Sequence, residues 1–239
     1  MKISITTMQK LSKIKNSAYD AIKIEFLYHS NKLEGSTFSK ENLIDLLESK
    51  KVNGEHFLDD VIETRNSLEL FDEVINTLNK PLDKYLLWDW HRILKKGSID
   101  DEIGNIGRWK KYENKLLNTD LKLCEPNLVE NNIFNLLEDW KESKKDIFAI
   151  ANFHQRFEHI HPFQDGNGRI GRFIILRQCI ENNIDLIAID DEYRNALYIA
   201  QTTNDINPLV EVFTKCQKRL DEKLEDYLNV INQVTNETK

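Results

Sequence analysis

The chain has 239 residues and a formal net charge of −7, with 33 Lys and Arg residues against 40 Asp and Glu residues. This acidic balance argues against general binding to nucleic acids or to anionic membrane surfaces. No apolar run approaches the ~20 residues of a membrane-spanning helix, and the first residues do not resemble a signal peptide. We therefore expect a cytoplasmic protein whose three cysteines are thiols.

Most of the chain has the hydrophobic periodicity of an α-helix, and only 4 Pro and 8 Gly interrupt it. The fold class that follows is all-α. Helices are predicted over residues 8–33, 61–78, 82–94, 128–142, 147–160, 172–181, 193–202 and 209–230, with a further helix after the capping residue Ser39. The polar tail, residues 232–239, is expected to fray.

Residues 98–126 break the helical pattern. Two short apolar pairs, at residues 116–117 and 121–123, flank a polar stretch at residues 118–120 that can turn. This arrangement predicts a small β-hairpin within residues 113–124. An ordinary loop is the alternative, because the segment lacks the Asn-Gly pair that marks the strongest hairpin turns.

The most informative segment is the run from His161 to Arg172, His-Pro-Phe-Gln-Asp-Gly-Asn-Gly-Arg-Ile-Gly-Arg. Pro162 ends the preceding helix and leaves the His161 imidazole above a loop. The glycines allow N–H groups to point at an anion, and a helix beginning near Gly168 adds its positive dipole there. Arg169 and Arg172 share the first turn of that helix, which is unfavourable unless an anion binds. We infer a polyphosphate site with a histidine at its rim.

This run matches the Fic family motif, His-x-Phe-x-Asp/Glu-Gly-Asn-Gly-Arg-x-x-Arg, at every specified position. The resemblance implies an all-α Fic fold with a β-hairpin flap near the active site. It also implies an enzyme that uses Mg²⁺ and moves AMP from ATP to a Ser, Thr or Tyr hydroxyl of a target protein or of itself. The related Doc branch transfers phosphate and has lysine at the position of Gly168, so Gly168 favours AMP transfer.

The resemblance assigns roles by position in the motif. His161 is the expected general base, with an ordinary pKa near ~6.5 that suits proton abstraction at neutral pH. Asp165 is expected to hold Mg²⁺, a hard ion that prefers oxygen ligands, and Phe163 to anchor the loop in the core. The phosphates are assigned to Gly166, Asn167, Gly168, Arg169 and Arg172. A docking flap, which would hold the target by strand pairing, is assigned to Leu116, Leu117 and Leu121.

The base pocket is a looser match. Fic proteins have a Tyr-Tyr pair followed by an Asn near the nucleotide base, and the corresponding residues here are Tyr193, Arg194 and Gln201. Tyr193 and Gln201 are the expected nucleotide-binding residues. Because two of the three positions depart from the pattern, transfer of UMP or GMP is an alternative to transfer of AMP.

A second pattern lies upstream, at Ser30-Asn31-Lys32-Leu33-Glu34-Gly35. It resembles the Fic inhibitory pattern Ser/Thr-x-x-x-Glu-Gly/Asn, in the class that carries its inhibitor N-terminally (class II). The resemblance implies that Glu34 pairs with Arg172 and withholds it from the γ-phosphate, with Ser30 as part of the motif. In some relatives the same glutamate supports removal of AMP, so a bifunctional enzyme is a further alternative. A solvated carboxylate at a helix end, followed by Gly35, is the plain structural alternative.

Two hypotheses come from other classes of protein. His154, Glu158, His161 and Asp165 are spaced like metal ligands on one helix, as in a metal-dependent hydrolase. The proline and glycines of the run break that helix before Asp165, which argues against this hypothesis. The second hypothesis is a non-catalytic nucleotide-binding interaction module locked by Glu34, but pure binding does not require the histidine.

The expected organisation has three parts. Residues 1–55 form an N-terminal helical region with the inhibitory pattern, residues 56–231 the catalytic core, and residues 232–239 the tail. The expected partners are ATP and a protein substrate, with self-modification and a homo-oligomer also possible. No membrane or direct nucleic-acid partner is expected.

Overall fold

The structure is a computed structural model that describes residues 1–116 and 119–236, apart from the side chains of residues 235 and 236. Within these residues the regular structure is helical throughout, with two short 3₁₀ turns at Pro126–Leu128 and Glu225–Tyr227. The helices are α1 (Ile5–Leu11), α2 (Ala18–Leu33), α3 (Lys40–Ser49), α4 (Leu58–Asn76), α5 (Lys84–Lys95), α6 (Ile99–Glu102), α7 (Val129–Glu142), α8 (Ile147–Ile160), α9 (Asn167–Glu181), α10 (Tyr193–Thr203), α11 (Asn207–Lys223) and α12 (Leu228–Asn236). The all-α prediction is confirmed.

The centre of the bundle is α9. Its apolar residues point in all directions, and Ile170, Phe173, Ile174 and Leu176 are all buried. A helix that is apolar all round must be enclosed, and α9 packs against α2, α4, α5 and α8. The core is continuous from Met1 to Ile231, so α2 packs into the same core as the helices of the predicted catalytic region.

The first predicted helix, residues 8–33, is two helices in the structure. The Ser17 hydroxyl donates to the Leu11 carbonyl at 3.0 Å and accepts from the Tyr19 N–H at 3.2 Å, so it closes α1 and caps α2. Asn16 has a positive φ of 53°, which turns the chain between them. Periodicity alone did not reveal the break, because both helices bury residues of the same stripe.

The hairpin predicted within residues 113–124 is not formed in the part of it that the structure describes, residues 113–116 and 119–124. Two of these residues bond to the motif loop and to the end of α8. The Asn114 side-chain amide donates to the Gln164 carbonyl at 2.8 Å, and the Cys124 N–H donates to the His159 carbonyl at 3.2 Å. Leu117 and Asn118 lie outside the described residues.

The end of the chain also differs from the prediction. The helix expected over residues 209–230 divides into α11 and α12, and α12 continues through residues 232–236 that were expected to fray. Ile231 is buried and Val234 packs against the core, and α12 lies against α1. Residues 232–236 were expected to fray because they are mostly polar. Apolar packing on one face of α12 keeps them helical instead. None of the described helices is both long and apolar enough to cross a membrane.

Candidate active site

His161 lies at the C-terminal end of α8 in a left-handed conformation, with φ of 49°. Its Nδ1 lies 3.3 Å from the Glu158 carbonyl oxygen. Because a carbonyl only accepts, Nδ1 carries the proton and Nε2 keeps its lone pair. Burial and the nearby Lys110 ammonium lower the pKa of His161 to about 4. The imidazole is therefore neutral at physiological pH, in the form that a general base requires.

The motif loop between α8 and α9 is fixed by Asn167. The Phe163 N–H donates to Asn167 Oδ1 at 2.7 Å, and Asn167 Nδ2 donates to the Phe163 carbonyl at 2.9 Å. The Asn167 side chain is buried and both of its polar ends are used. It therefore stabilises the loop, and only its main chain is left for the phosphate contact predicted from the sequence.

Phe163 is fully buried, as predicted, and stacks on His91 with ring centroids 4.0 Å apart. The Gly107 N–H donates to His91 Nδ1 at 3.0 Å, so Nε2 carries the proton and donates to the Asp165 carbonyl at 3.0 Å. Burial lowers the pKa of His91 to about 4, which keeps this tautomer neutral. His91 thus links the motif loop to the chain at Gly107.

Asp165 ends the loop beside two cations. Its Oδ2 lies 2.5 Å from Lys95 Nζ and 3.8 Å from Arg169 Nη2. Burial alone would raise the pKa of Asp165, but the two cations outweigh it and lower the pKa to about 2. The Asp165 side chain is 56% exposed. It is therefore an ionised carboxylate at the mouth of the site.

Lys95 connects Asp165 to the helices behind it. Its ammonium also bonds to Glu63 of α4 and lies 2.6 Å from Asp100 Oδ2 of α6. Burial lowers the pKa of Lys95, but the charges of Asp165 and Glu63 outweigh it and the net shift is upward. Arg169 forms its own ion pair with Glu63.

Arg172 is buried and bonds to α2. Its Nη2 donates to Glu34 Oε1 at 2.5 Å and to the Ser30 carbonyl at 3.0 Å, and its Nε donates to Ser30 Oγ at 2.9 Å. The structure therefore brings together the two predicted motifs, which are 138 residues apart. Burial would raise the pKa of Glu34, but Arg172 and Arg169 lower it overall, so the pair is charged.

Two arginines satisfy the C-terminal end of α2. The last carbonyls of a helix lack intrahelical partners, and those of Ser30 and Leu33 accept from Arg172 and Arg194 respectively. Gly35 follows Glu34 with φ of 87°, the left-handed conformation that ends many helices. Cations here also complement the negative end of the helix dipole.

Gly168 leaves the space that Glu34 occupies. A Cβ at residue 168 would overlap Glu34 Oε1 and lie 2.9 Å from Arg172 Nη1. Gly166, with φ of 78°, begins α9 in a conformation that a side chain disfavours. The two glycines therefore allow the turn and the close approach of α2 to the N-terminus of α9.

A buried polar cluster lies close to Arg172 and consists of His154, Glu158 and Tyr193. His154 Nε2 and the Tyr193 hydroxyl are 2.7 Å apart, and Tyr193 is only 4% exposed. Burial lowers the pKa of His154 to about 3 and raises the pKa of Glu158 to about 8. Tyr193 therefore lies in the core instead of lining an open pocket, contrary to the role that its sequence position suggested.

Gln201 lines a groove of about 530 Å³ beside the end of α8, together with Cys124, His159 and Ile160. Its Nε2 is buried without a hydrogen-bond partner among the described residues. Grooves of this size accommodate small-molecule ligands. Arg194, the other departure from the family pattern, does not line the groove and bonds to Leu33 instead.

The segment that leads to the predicted docking flap, residues 110–114, lies along the motif loop. Leu116 and Leu121 are half-buried, and Leu117 is outside the described residues. The Lys110 N–H donates to the Pro162 carbonyl at 2.8 Å, and the Tyr112 N–H donates to Gln164 Oε1 at 3.3 Å. Residues 110–114 therefore run next to His161.

The alternative metal site is not assembled. His154 and Glu158 are buried in the core, whereas Asp165 lies at the surface. Among the described residues, the carboxylates and imidazoles that converge closely enough to hold an ion are Glu63, Asp100 and Asp165. The helix-spaced histidines are not part of that group, because the loop after His161 separates Asp165 from them.

The sequence prediction missed four residues of the site: Glu63, His91, Lys95 and Lys110. Their side chains reach the motif from α4, α5 and the loop before α7. No local pattern marks them, because the contacts join segments 50 to 106 residues apart. Their burial as polar groups is the signal, and it becomes visible only in three dimensions.

Three comparisons place the chain among known proteins. Residues 81–179 match the family model described as Fic/DOC family. The chain is 27% identical over 232 residues to an Aedes aegypti protein named protein adenylyltransferase Fic, a match that covers 89% of this chain and 43% of that protein. It is 28% identical over 118 residues to a probable protein adenylyltransferase of Aquifex aeolicus, covering 46% of this chain and 37% of that protein. The chain thus spans roughly two fifths of the length of these curated relatives.

Solved structures share the fold. A Fic-domain-containing signaling protein of Bacteroides thetaiotaomicron superposes with a TM-score of 0.74 at 21% identity, over 90% of this chain and 93% of that chain. Fic-1 of C. elegans superposes with a TM-score of 0.69 at 18% identity, over 95% of this chain and 70% of that chain. Residues 81–179 are thus similar in sequence to the Fic/DOC family, and the whole chain shares the fold of solved Fic proteins.

Proposed function

We propose that the protein transfers AMP from ATP to a hydroxyl side chain of a protein substrate and releases pyrophosphate. The observation that carries the proposal is the neutral His161, whose Nδ1 bond to the Glu158 carbonyl leaves the Nε2 lone pair available, at the start of the loop that leads to the N-terminus of α9. Curated relatives of the chain are named protein adenylyltransferases, which supports the same activity.

In the proposed reaction His161 Nε2 takes the proton of the target hydroxyl. The hydroxyl oxygen attacks the α-phosphorus of ATP, and the bond from that phosphorus to the β-phosphate oxygen breaks. The hydrogen bond from Nδ1 to the Glu158 carbonyl holds the required tautomer and orients the ring. Because the base is already neutral, no proton must leave it before the reaction.

The phosphate chain fits the N-terminus of α9. The first N–H groups of that helix, which follows Gly166, and the Arg169 guanidinium face developing negative charge. Asp165 is ionised and more than half exposed, so it suits a hard cation that arrives with the phosphates. We infer that Asp165 would hold Mg²⁺, which when bound would neutralise charge on the phosphate oxygens.

The base of the nucleotide fits the groove lined by Gln201. The Nε2 of Gln201 is buried and unpartnered among the described residues, and rotation of the side chain toward the groove would let it donate to a base nitrogen or carbonyl. We infer that Gln201 contributes to base binding, and that Tyr193 acts only by supporting the wall behind it through its bond to His154.

Glu34 is the proposed brake on this activity. While Arg172 is bonded to Glu34 and Ser30, it is not available to the γ-phosphate. A charge-assisted hydrogen bond contributes roughly 1.5–3 kcal/mol net. This suppresses the productive state by about one to two orders of magnitude.

Residues 110–114 are the proposed docking segment for the target. They are not helical, they run next to His161, and Leu116 and Leu121, which follow them, are only half-buried. Main-chain pairing with a substrate would present its hydroxyl to Nε2 without requiring one target sequence.

The test compares the wild type, Glu34→Gly, and Glu34→Gly with His161→Ala, each supplied with Mg²⁺ and ATP labelled at the α-phosphate. We expect protein labelling to rise at least tenfold in Glu34→Gly and to vanish in the double variant. ATP binding, measured by calorimetry, should survive His161→Ala. If neither Glu34→Gly nor the wild type labels any protein or itself, the proposed activity is wrong.

A further inference from the structure

The ammonium of Lys95 lies among three carboxylates behind the candidate active site. It bonds to Glu63, lies 2.5 Å from Asp165 Oδ2 and lies 2.6 Å from Asp100 Oδ2. The Lys95 side chain is 2% exposed. Its three partners come from α4, α6 and the motif loop, so the ammonium joins elements that are far apart in the chain.

The three carboxylates have the spacing of a divalent cation site. One oxygen atom from each of Glu63, Asp100 and Asp165 lies within 4.8 Å of the others. Oxygen ligands from three carboxylates suit Mg²⁺, Mn²⁺ or Ca²⁺. In this structure the ammonium of Lys95 takes the central position, and Arg169 pairs with Glu63 from the other side.

The burial of the carboxylates decides which of them an ion can reach. The side chains of Glu63 and Asp100 are largely buried, whereas more than half of the Asp165 side chain is exposed. With Lys95 in place, Asp165 is therefore the carboxylate of the three that solvent ions can most readily reach. One carboxylate alone binds a hydrated divalent ion weakly, so phosphate oxygens must complete its coordination.

We propose that Lys95 is a positioning residue that fills a three-carboxylate cation site with its own ammonium, and so holds Asp165 outward for an ion that enters only with the nucleotide. The second half of this proposal rests on the proposed function, whereas the first half does not. Binding of metal without nucleotide tests the first half separately from AMP transfer.

The experiment measures Mn²⁺ binding without nucleotide, by calorimetry and by the electron paramagnetic resonance signal of free Mn²⁺. Wild-type protein should bind Mn²⁺ weakly. Lys95→Met removes the ammonium and leaves the carboxylates, so we expect binding at least tenfold tighter. In Lys95→Met with Asp100→Asn, the gain should disappear because one ligand is lost. Equal binding by wild type and Lys95→Met would overturn the proposal, as would a gain that persists without Asp100.

A matched control separates this effect from the loss of a buried ion pair. Lys23 of α2 is equally buried and pairs with Asp72 at 2.8 Å, away from the motif. Lys23→Met should lose stability without gaining Mn²⁺ affinity. If Lys95→Met is unfolded in metal-free buffer, its thermal melting curve should reappear on addition of MnCl₂, and failure to do so would contradict the proposal.

The second half of the proposal, that the ion enters only with the nucleotide, is tested by a separate measurement. In the Glu34→Gly variant, which retains Lys95, we expect bound ATP to raise the affinity for Mn²⁺ strongly, and bound Mn²⁺ to raise the affinity for ATP by the same factor. Lys95→Met should weaken that dependence at least tenfold, because its ion binds without phosphate. If the mutual dependence is unchanged while nucleotide-free binding is gained, Lys95 fills the site but does not control entry of the ion, and the second half is wrong.

Discussion

At the scale of single residues, the site depends on polar groups whose environments fix their protonation. His161 and His91 are both neutral, and each hydrogen bond that they make assigns its tautomer. Both polar ends of the Asn167 side chain hold the motif loop between α8 and α9. Such groups are positioned by the folded protein before any ligand binds, which is the condition for effective catalysis.

The pKa of His161 predicts the acid limb of the activity. Because this pKa is lowered to about 4, almost all His161 side chains are neutral above about pH 5. The neutral form is lost only as the pH falls through about 4. Transfer by the Glu34→Gly variant, measured as kcat/KM against pH, should therefore be flat from about pH 6 to 8. A limb centred near ~6.5, the ordinary histidine value, would contradict this assignment.

Glu158 predicts a change in stability at alkaline pH. Its pKa is raised to about 8, so the stability that it contributes is complete below the ordinary glutamate pKa and is lost as the pH rises through 8. Glu158→Gln keeps the shape and cannot ionise. Between pH 5 and 9 the wild type should lose on the order of 3 kcal/mol of unfolding free energy relative to this variant, measured by urea denaturation. Parallel stability curves for the two proteins would be the contrary result.

At the scale of elements, helix ends determine where the functional groups lie. His161 ends α8 in a left-handed conformation, Gly166 begins α9, and Glu34 ends α2. The proline and glycines of the motif made the first two ends predictable from sequence. The break between α1 and α2 was missed because a buried serine forms it, and burial is not visible in the sequence.

The serine between α1 and α2 is itself testable. Ser17→Ala removes the cap of α2 and the bond to the Leu11 carbonyl. We expect a loss of about 1–2 kcal/mol in unfolding free energy, measured by thermal or urea denaturation. Ser39→Ala, which removes the cap of α3 but, among the described residues, no bond to the carbonyl of a preceding helix, is the matched control and should cost less. An equal loss of unfolding free energy in both variants would mean that the Ser17 bond to the Leu11 carbonyl adds nothing to the capping of α2.

The docking segment shows the limit of sequence reasoning at this scale. Residues 98–126 were predicted to break the helical pattern, but α6 lies at the start of that range and was missed. The described residues after α6 bond to backbone groups of the motif loop and of the end of α8. Alternating apolar residues favour pairing without specifying the partner. The candidate site was therefore predictable where the motif is local, and not where Glu63, Lys95 or His91 reach it from other helices.

At the scale of the whole molecule, three helices converge on the candidate brake. Glu34 and Ser30 of α2 hold Arg172 of α9, and Arg194 of α10 holds the Leu33 carbonyl beside them. Gln201, which lines the candidate base groove, lies on α10 as well. The end of α2 is thus connected to both the proposed phosphate side and the proposed base side of the site.

This connection predicts that Arg194 contributes to the brake. Arg194→Ala removes one of the bonds that hold the end of α2, while leaving the Glu34–Arg172 pair in place. A single net hydrogen bond of about 1 kcal/mol corresponds to roughly a fivefold shift in an equilibrium. The initial rate of labelling should therefore rise several-fold in Arg194→Ala, but less than in Glu34→Gly.

The control for Arg194→Ala is the same substitution in the Glu34→Gly background, where the brake is already removed. If Arg194 acts through α2, the substitution should have little effect there, and the two changes will not be additive. If the rate falls in both backgrounds, Arg194 instead supports nucleotide binding from α10. A rise of equal size in both backgrounds would also contradict the coupling, because it would not depend on Glu34.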